Sequence, residues 1–370
     1  MLASWQCPIR KQVLRGYLQA IIVSISALLM VTCNTTTSPQ LIDEVRTAFA
    51  MRAADTETSG STTVVGIEGW FFFGPELRHV SVGQFWGDRA VRVTRAQRAN
   101  AADPLPAILD FQHQLEAANV ELLIVPVPPK AIIFPDKLGM TNPTIPIPVP
   151  RLDRDHKAFY ELLREQGVEV LDLTDHFLKE RFSPEDPLYC RQDTHWSGAG
   201  CVIAAQQIAE AVRNRPWYAT LNSKPENYRT RWLSTSIDGD LVRGLEPPLP
   251  REELRLRMVT VETSSIQKTV PIDPDSPIVL LGDSHALVFH AGEDMHATGS
   301  GLVDQLAAEL GLPVDLVAVR GSGATAARLN LFRRAQNDPD YWQRKRLVIW
   351  CFAAREFTES DGWRIVPIAP

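Results

Sequence analysis

The hydrophobic pattern of this chain changes period repeatedly, and those changes mark out its elements. Apolar positions recur at helical spacing over residues 105–118, then give way to a continuous apolar run over 120–127. The same alternation predicts a helix over 152–166, a strand over 168–173 and an Ala-rich helix over 198–212. Farther on it predicts strands over 277–281, 314–319 and 346–351, with helices starting at Ser284 and covering 324–335. Strands that are apolar on both faces need helices on both sides to bury them, so a three-layer α/β domain with a parallel sheet of about five strands is expected.

Two segments fall outside this rhythm. Between 214 and 274, Pro, Arg and Glu accumulate and the periodicity is lost, as in an insertion lying over the sheet edge. Residues 34–63 are rich in Thr, Ser and Ala, with one helical stretch over 41–53, and read as a linker. The folded domain is then expected over 64–370. Ahead of the linker, Arg10, Lys11 and Arg15 precede an apolar run over 17–31, the pattern of an export signal or an uncleaved anchor across residues 1–33. The run is short against the roughly 20 residues of a spanning helix. Cys33 stands where a lipidated cysteine would, although Thr32 before it is not the usual Gly or Ala. The basic flank places the N-terminus in the cytoplasm and the rest in the periplasm, tethered to the inner membrane or released after cleavage.

Composition narrows the function classes. The 370 residues are 45% hydrophobic, enough for a large core, and their net charge of −6 offers no basic field for nucleic acid. The nine Trp suit either core packing or stacking on sugar faces. Of five Cys, only Cys190, Cys201 and Cys351 lie beyond the N-terminal segment, so at least one of these thiols is unpaired within a single chain. A Cys190–Cys201 disulfide is compatible with an oxidising compartment. His285, His290 and His296, with Asp294 nearby, are five and six residues apart, which does not stack them on one helix face. Neither a metal site nor a cofactor is expected.

Two motifs carry candidate chemistry. In Ile278-Val-Leu-Leu-Gly-Asp-Ser-His285 an apolar strand ends on Gly282-Asp283-Ser284 at the start of a helix. Sites in open α/β sheets gather at that strand edge, and backbone N–H groups there can stabilise an oxyanion. A helix cap is the alternative role for Ser284. In Arg191-Gln-Asp193-Thr-His195-Trp196, Asp193 can hold one ring nitrogen of His195 while the other faces a nucleophile. Alternatively, Asp193 caps the following helix and His195 is a surface residue. Both motifs sit at strand–helix or loop–helix junctions of the same expected sheet.

Gly-Asp-Ser with Asp-x-His resembles the SGNH/GDSL esterase superfamily. Here Asp193 and His195 precede Ser284, a permuted order that resembles the alginate O-acetylation proteins of the AlgJ/AlgX-like family. Further similar segments are Gly66-Ile-Glu-Gly-Trp-Phe-Phe-Phe73, Glu76-Leu-Arg-His79, Val125-Pro-Val-Pro-Pro-Lys130 with Phe134-Pro135, and Ile349-Trp-Cys-Phe-Ala-Ala-Arg355. The likeness spans residues 64–358.

The resemblance implies a serine O-acyltransferase with Ser284 as nucleophile, His195 as general base and acid, and Asp193 as its orienting partner. It implies oxyanion or substrate binding by Gly321, Ser322 and Gly323, and Arg355 facing an acyl oxyanion or a uronate carboxylate; a plain turn and a surface salt bridge are the alternatives. Lys130, His79 and Trp196 read as structural. The Gly-x-Asn-Asp motif of SGNH hydrolases is missing, and the 15 residues after Arg355 leave no room for a carbohydrate-binding module. The implied partners are an exported, alginate-like polysaccharide acceptor and a membrane-bound O-acyltransferase as acetyl donor. A carbohydrate acetylesterase would use the same acyl-serine with water as acceptor. A non-catalytic polysaccharide-binding scaffold would need none of it.

Overall fold

A computed structural model describes residues 37–183, 185–221, 228–263 and 266–368, and the backbone alone over 262, 263 and 266–268. Helix α1 (Pro39–Ser59) leads into a small antiparallel pair, β1 (Thr63–Val65) and β2 (Phe71–Phe73), and helix α2 (Gly74–Ser81). The α/β portion continues as α3 (Pro104–Ala117), β3 (Glu121–Val127), α4 (Arg154–Glu165), β4 (Glu169–Val170), α5 (Thr174–Glu180) and α6 (Gly198–Arg213). Three antiparallel strands follow: β5 (Tyr228–Ile237), β6 (Glu252–Thr263) and β7 (Ile266–Thr269). The chain then returns to the main sheet as β8 (Ile278–Gly282), α7 (Ser284–Leu287), α8 (Leu302–Leu310), β9 (Asp315–Ala318), α9 (Thr325–Gln336), β10 (Leu347–Ala353) and α10 (Glu356–Glu359).

The main sheet has five strands in the order β4-β3-β10-β8-β9, all parallel. If the count starts at β8 and runs through β9 and β10 to β3 and β4, this is the doubly wound 2-1-3-4-5 order. The topology is therefore a common α/β one with its starting point moved. Its switch point lies between β8 and β10, the place where open α/β sheets form their sites at the carboxyl ends of the strands.

Strand alternation divides the core into two layers. Leu123, Val125, Ile278, Leu280, Ile349 and Cys351 face one layer, which includes residues of α1, α6 and α8. Leu122, Ile124, Val279, Leu281, Val348 and Trp350 face the other, with residues of α3, α4 and α9. The period-2 geometry of a strand makes this division automatic, and both faces are apolar because both are covered.

Some expectations are corrected. The stretch 34–63 is no simple linker: α1 puts Ile42, Val45, Phe49 and Ala53 into the main core, and the compact unit runs from Pro39. The abundance of Thr, Ser and Ala masks an apolar stripe at spacings of three and four, which is a buried helical face. The 168–173 strand shortens to Glu169–Val170, because Asp172 turns the chain by capping the Thr174 N–H at 3.0 Å. The helix from Ser284 lasts one turn. Cys190, Cys201 and Cys351 are buried free thiols, so no Cys190–Cys201 disulfide forms. The basic and apolar segment over 10–31 lies outside the described residues, among which no helix is long and apolar enough to cross a membrane.

Candidate active site

The loop between α5 and α6 closes on itself through a bridge between Tyr189 and Trp196, and Asp193 and His195 stand at its tip. Three anchors hold it, one buried, one half-buried and one exposed. Lys130, just beyond β3, sends its ammonium to the carbonyls of Phe71, Arg191 and Asp193 at 2.6, 3.1 and 3.0 Å. The Glu252 carboxylate, at the start of β6, accepts the N–H groups of Arg191 and Gln192 at 2.7 and 2.8 Å. Asp240, between β5 and β6, accepts the N–H and hydroxyl of Thr194 at 2.7 and 2.6 Å. Gly239 beside it has no room for a side chain, since a Cβ there would lie 2.0 Å from the Gln192 carbonyl oxygen. The segment expected as an insertion thus supplies two of the three anchors.

Within this frame Asp193 Oδ1 accepts from His195 Nδ1 at 2.6 Å and from the His195 N–H at 3.0 Å. Its Oδ2 accepts from the Asp240 N–H at 3.0 Å and from His296 Nε2 at 2.9 Å. Burial alone would raise the pKa of this carboxyl, but His195 and His296 outweigh it and hold it well below the carboxylate range. Burial would lower the pKa of His195, yet the charge and hydrogen bond of Asp193 raise it above the ordinary imidazole value. With Nδ1–H committed to Asp193, the lone pair of His195 rests on Nε2. That atom is buried and has no hydrogen-bond partner among the described residues.

The second motif meets the first here. Ser284 follows β8, on a turn where Asp283 Oδ1 caps the His285 N–H at 2.8 Å and Asp283 Oδ2 accepts the Ala353 N–H of β10 at 2.7 Å. The His285 ring lies 4.8 Å from the His195 ring, centroid to centroid, and edge-on to Trp196 at 5.3 Å. Burial pushes the pKa of His285 down to about 4, which keeps it neutral and leaves His195 as the more basic imidazole. Ser284 is 7% exposed, and no hydrogen bond joins its hydroxyl to His195 among the described residues.

Gly323 is pressed against this turn. A Cβ there would stand 2.5 Å from Phe352 Cβ and 3.1 Å from Asp283 Cβ. Gly321 has φ +76° with open space around it, and Ser322 lies between the two. Arg355 follows β10, with its guanidinium over the Phe73 ring at 5.4 Å and one nitrogen 3.8 Å from Glu76. That nitrogen, Nη1, is buried without a hydrogen-bond partner among the described residues, and the Arg355 charge lowers the pKa values of Asp283, His285 and His195. The cation therefore points its field at the junction of both motifs.

Trp196 packs beneath His285, and His79 pairs with His156 behind α2. Sequence reasoning missed Asp240, Glu252 and His296. Asp240 and Glu252 fall in the aperiodic 214–274 stretch, where no pattern assigns a side chain to a loop more than forty residues away. The spacing of His296 from His285 and His290 gives no sign of a partner in the loop of Asp193.

Asp193, His195 and Asp240 place ligand-type atoms within 4.8 Å of one another. Their oxygens and Nδ1 are already taken up by the hydrogen bonds given above, so the cluster fits a hydrogen-bonded network better than a cation. A cleft of about 300 Å³ lined by Glu68, Tyr189, Arg191, Arg251 and Glu252 flanks the loop on its outer side.

The model of one family, the SGNH hydrolase-like domain of the acetyltransferase AlgX, matches residues 63–354 of this chain. The chain belongs to that family. A probable alginate O-acetylase AlgJ of Pseudomonas syringae pv. tomato is 26% identical over 180 residues, 48% of this chain and 40% of that protein. Its namesake in Pseudomonas aeruginosa is 25% identical over 208 residues, 54% of this chain and 46% of the relative. The chain thus spans less than half the length of these curated relatives. Among solved structures, the O-acetyltransferase domain of Pseudomonas putida AlgJ aligns with a TM-score of 0.57 at 22% identity, covering 80% of this chain and 92% of that one. Pseudomonas aeruginosa AlgX aligns with a TM-score of 0.56 at 14% identity, over 79% of this chain and 62% of the other. These two structures share the fold of this chain.

Proposed function

We propose that this protein is an O-acetyltransferase that acetylates hydroxyls of an exported, alginate-like polysaccharide through an acyl-serine. One observation carries the reading. His195 is held by Asp193 at 2.6 Å in a single tautomer, its other nitrogen is buried with no partner among the described residues, and its ring abuts the residue after Ser284. A buried polar atom without a partner costs about 1–3 kcal/mol, so such an atom calls for a role that repays it. Acceptance of the Ser284 proton supplies that role.

The chemistry runs in two halves. Ser284 Oγ attacks the acetyl carbonyl carbon of the donor, and its proton passes to His195 Nε2. The bond to the donor oxygen breaks, and that oxygen takes the proton from His195. Acetyl-Ser284 remains. A sugar hydroxyl then attacks the ester carbon, gives its proton to His195 Nε2, and Ser284 Oγ leaves and recovers that proton. Asp193 stabilises the imidazolium in both halves. In this reading the amides of Gly321, Ser322 and Gly323 receive the oxyanion, and Arg355 supplies positive potential beside it. Family membership supports acetyl transfer, and the AlgJ relatives support an alginate-like acceptor. The N-terminal segment supports action in the periplasm, and the family resemblance implies a membrane-bound O-acyltransferase as acetyl donor.

The test follows acetate from a pseudo-substrate ester in the presence of mannuronate oligosaccharides. Acetylated oligosaccharide is expected to form with the wild type and to vanish with Ser284→Ala. Release of free acetate with no acetylated oligosaccharide would instead make the protein an esterase.

A further inference from the structure

The segment that joins α7 to α8 is built in an unusual way. Phe289, Glu293 and His296, none of them glycine, take positive φ values of 61°, 52° and 73°. Such conformations cost of order 1–3 kcal/mol each and persist only where the surroundings impose them. Here the imposing contacts are visible. The Phe289 N–H bonds the Met295 carbonyl at 2.8 Å, the Gly292 N–H bonds the Ala297 carbonyl at 2.9 Å, and the Ser300 N–H bonds the Phe289 carbonyl at 2.9 Å. Phe289 and Met295 are buried in the main core, and His290 is tied to Asp304 at 3.0 Å. The product is a pinned strap that carries one side chain to the loop of Asp193. That side chain is His296, whose Nε2 lies 2.9 Å from Asp193 Oδ2 while its ring is 7% exposed.

We infer that His296 is a positioning residue of the catalytic apparatus: a second imidazole that fixes the Asp193 carboxylate and, through it, the tautomer and aim of His195. The inference rests on the acyl-serine reading above. An ionised carboxylate offers about four lone-pair sites. Asp193 fills them with two hydrogen bonds on Oδ1, from the N–H and Nδ1–H of His195, and two on Oδ2, from Asp240 N–H and His296 Nε2–H. With all four in place the carboxylate cannot turn about its axis. Without His296 the buried Oδ2 keeps a single partner, and rotation toward an unsatisfied geometry competes with the bond to His195. The strap ties this brace to the nucleophile's own helical turn, so the serine and the orientation of its base are set by adjoining stretches of backbone. The donor needed is an Nε2–H, which a glutamine amide can reproduce and an isosteric hydrocarbon cannot.

The experiment compares wild type, His296→Leu, His296→Gln and Ser284→Ala in acylation by a chromogenic acetyl ester. His195 Nδ1–H, the proton shared with Asp193, is followed as a low-field NMR resonance. His296→Leu is expected to lower kcat about tenfold or more, the loss that follows from one hydrogen bond to a charged group, with KM little changed. Its low-field resonance is expected to shift or broaden. His296→Gln is expected to restore most of kcat and the resonance. Wild-type kcat and resonance in His296→Leu would overturn the inference, as would a loss that Gln fails to restore in a protein with the wild-type melting temperature. If Ser284→Ala still turned over the ester at the wild-type rate, the acyl-serine reading itself would fall, a result separable from either of the others. Should His296→Leu fail to fold, full activity in a folded His296→Phe would overturn the inference, and a loss of kcat there would support it.

Discussion

At the scale of single residues, this protein spends buried polar groups on position. Lys130, His195, Asp193 and Asp283 are all nearly inaccessible, and each but His195 is fully engaged. A second buried cluster shows what such groups cost away from the site. His156 Nε2 lies 2.5 Å from His79 Nε2, His79 Nδ1 lies 2.8 Å from the Thr358 hydroxyl, and that hydroxyl donates to Glu359 at 2.7 Å. The chain of donors forms with both rings neutral, His156 donating to His79 and His79 to Thr358, and breaks once both facing Nε2 atoms carry protons. Burial lowers the pKa of both; on His79 the charges of His156, Arg355 and Arg78 add to it, while on His156 burial outweighs Asp153, Asp155 and Asp172. The unfolded chain takes up protons below about pH 6.5, where the folded pair still resists them. Stability from this pair is therefore complete above about pH 6.5 and is lost as the pH falls toward the lowered folded values. Urea unfolding between pH 7.5 and 5 is expected to show a steeper loss for wild type than for a His79→Phe, His156→Phe variant. Parallel pH slopes would contradict it.

At the scale of elements, what could be read in advance depended on period. Helices α3, α4, α6 and α9 and strands β3, β8, β9 and β10 announce themselves because buried strands and amphipathic helices have distinct spacings. Helix α1 was visible as a helix but not as part of the core, since its polar residues hide a stripe only one residue wide per turn. Phe49, 1% exposed, tests its place: Phe49→Ala is expected to cost about 3–5 kcal/mol in chemical denaturation, whereas Met51→Ala, at a 65% exposed position of the same helix, should change stability by less than about 0.5 kcal/mol. A cost for Phe49→Ala below about 1 kcal/mol would mean that the helix is dispensable to the core. The site was half legible for the same kind of reason. Ser284, His195 and Asp193 sit in compact local motifs at element ends. Asp240, Glu252 and His296 act through backbone paths that only tertiary structure defines.

At the scale of the whole molecule, the sheet order explains why two motifs ninety residues apart can serve one reaction. Moving the starting point of a 2-1-3-4-5 sheet leaves its switch point intact, so the turn after β8 and the loop after α5 still converge on one edge. The three-stranded antiparallel sheet then braces the loop from outside, through Asp240 and Glu252. The account's central claim is that this edge makes the Ser284 hydroxyl a nucleophile. Intact-mass and peptide mass spectrometry after brief exposure to an activated acetyl ester tests it most directly. One acetyl group is expected on Ser284, absent from Ser284→Ala, slow to form in Asp193→Asn, and cleared faster when a uronate oligosaccharide is added. An unmodified Ser284, in folded protein that still transfers acetyl groups to the oligosaccharide, would contradict the account.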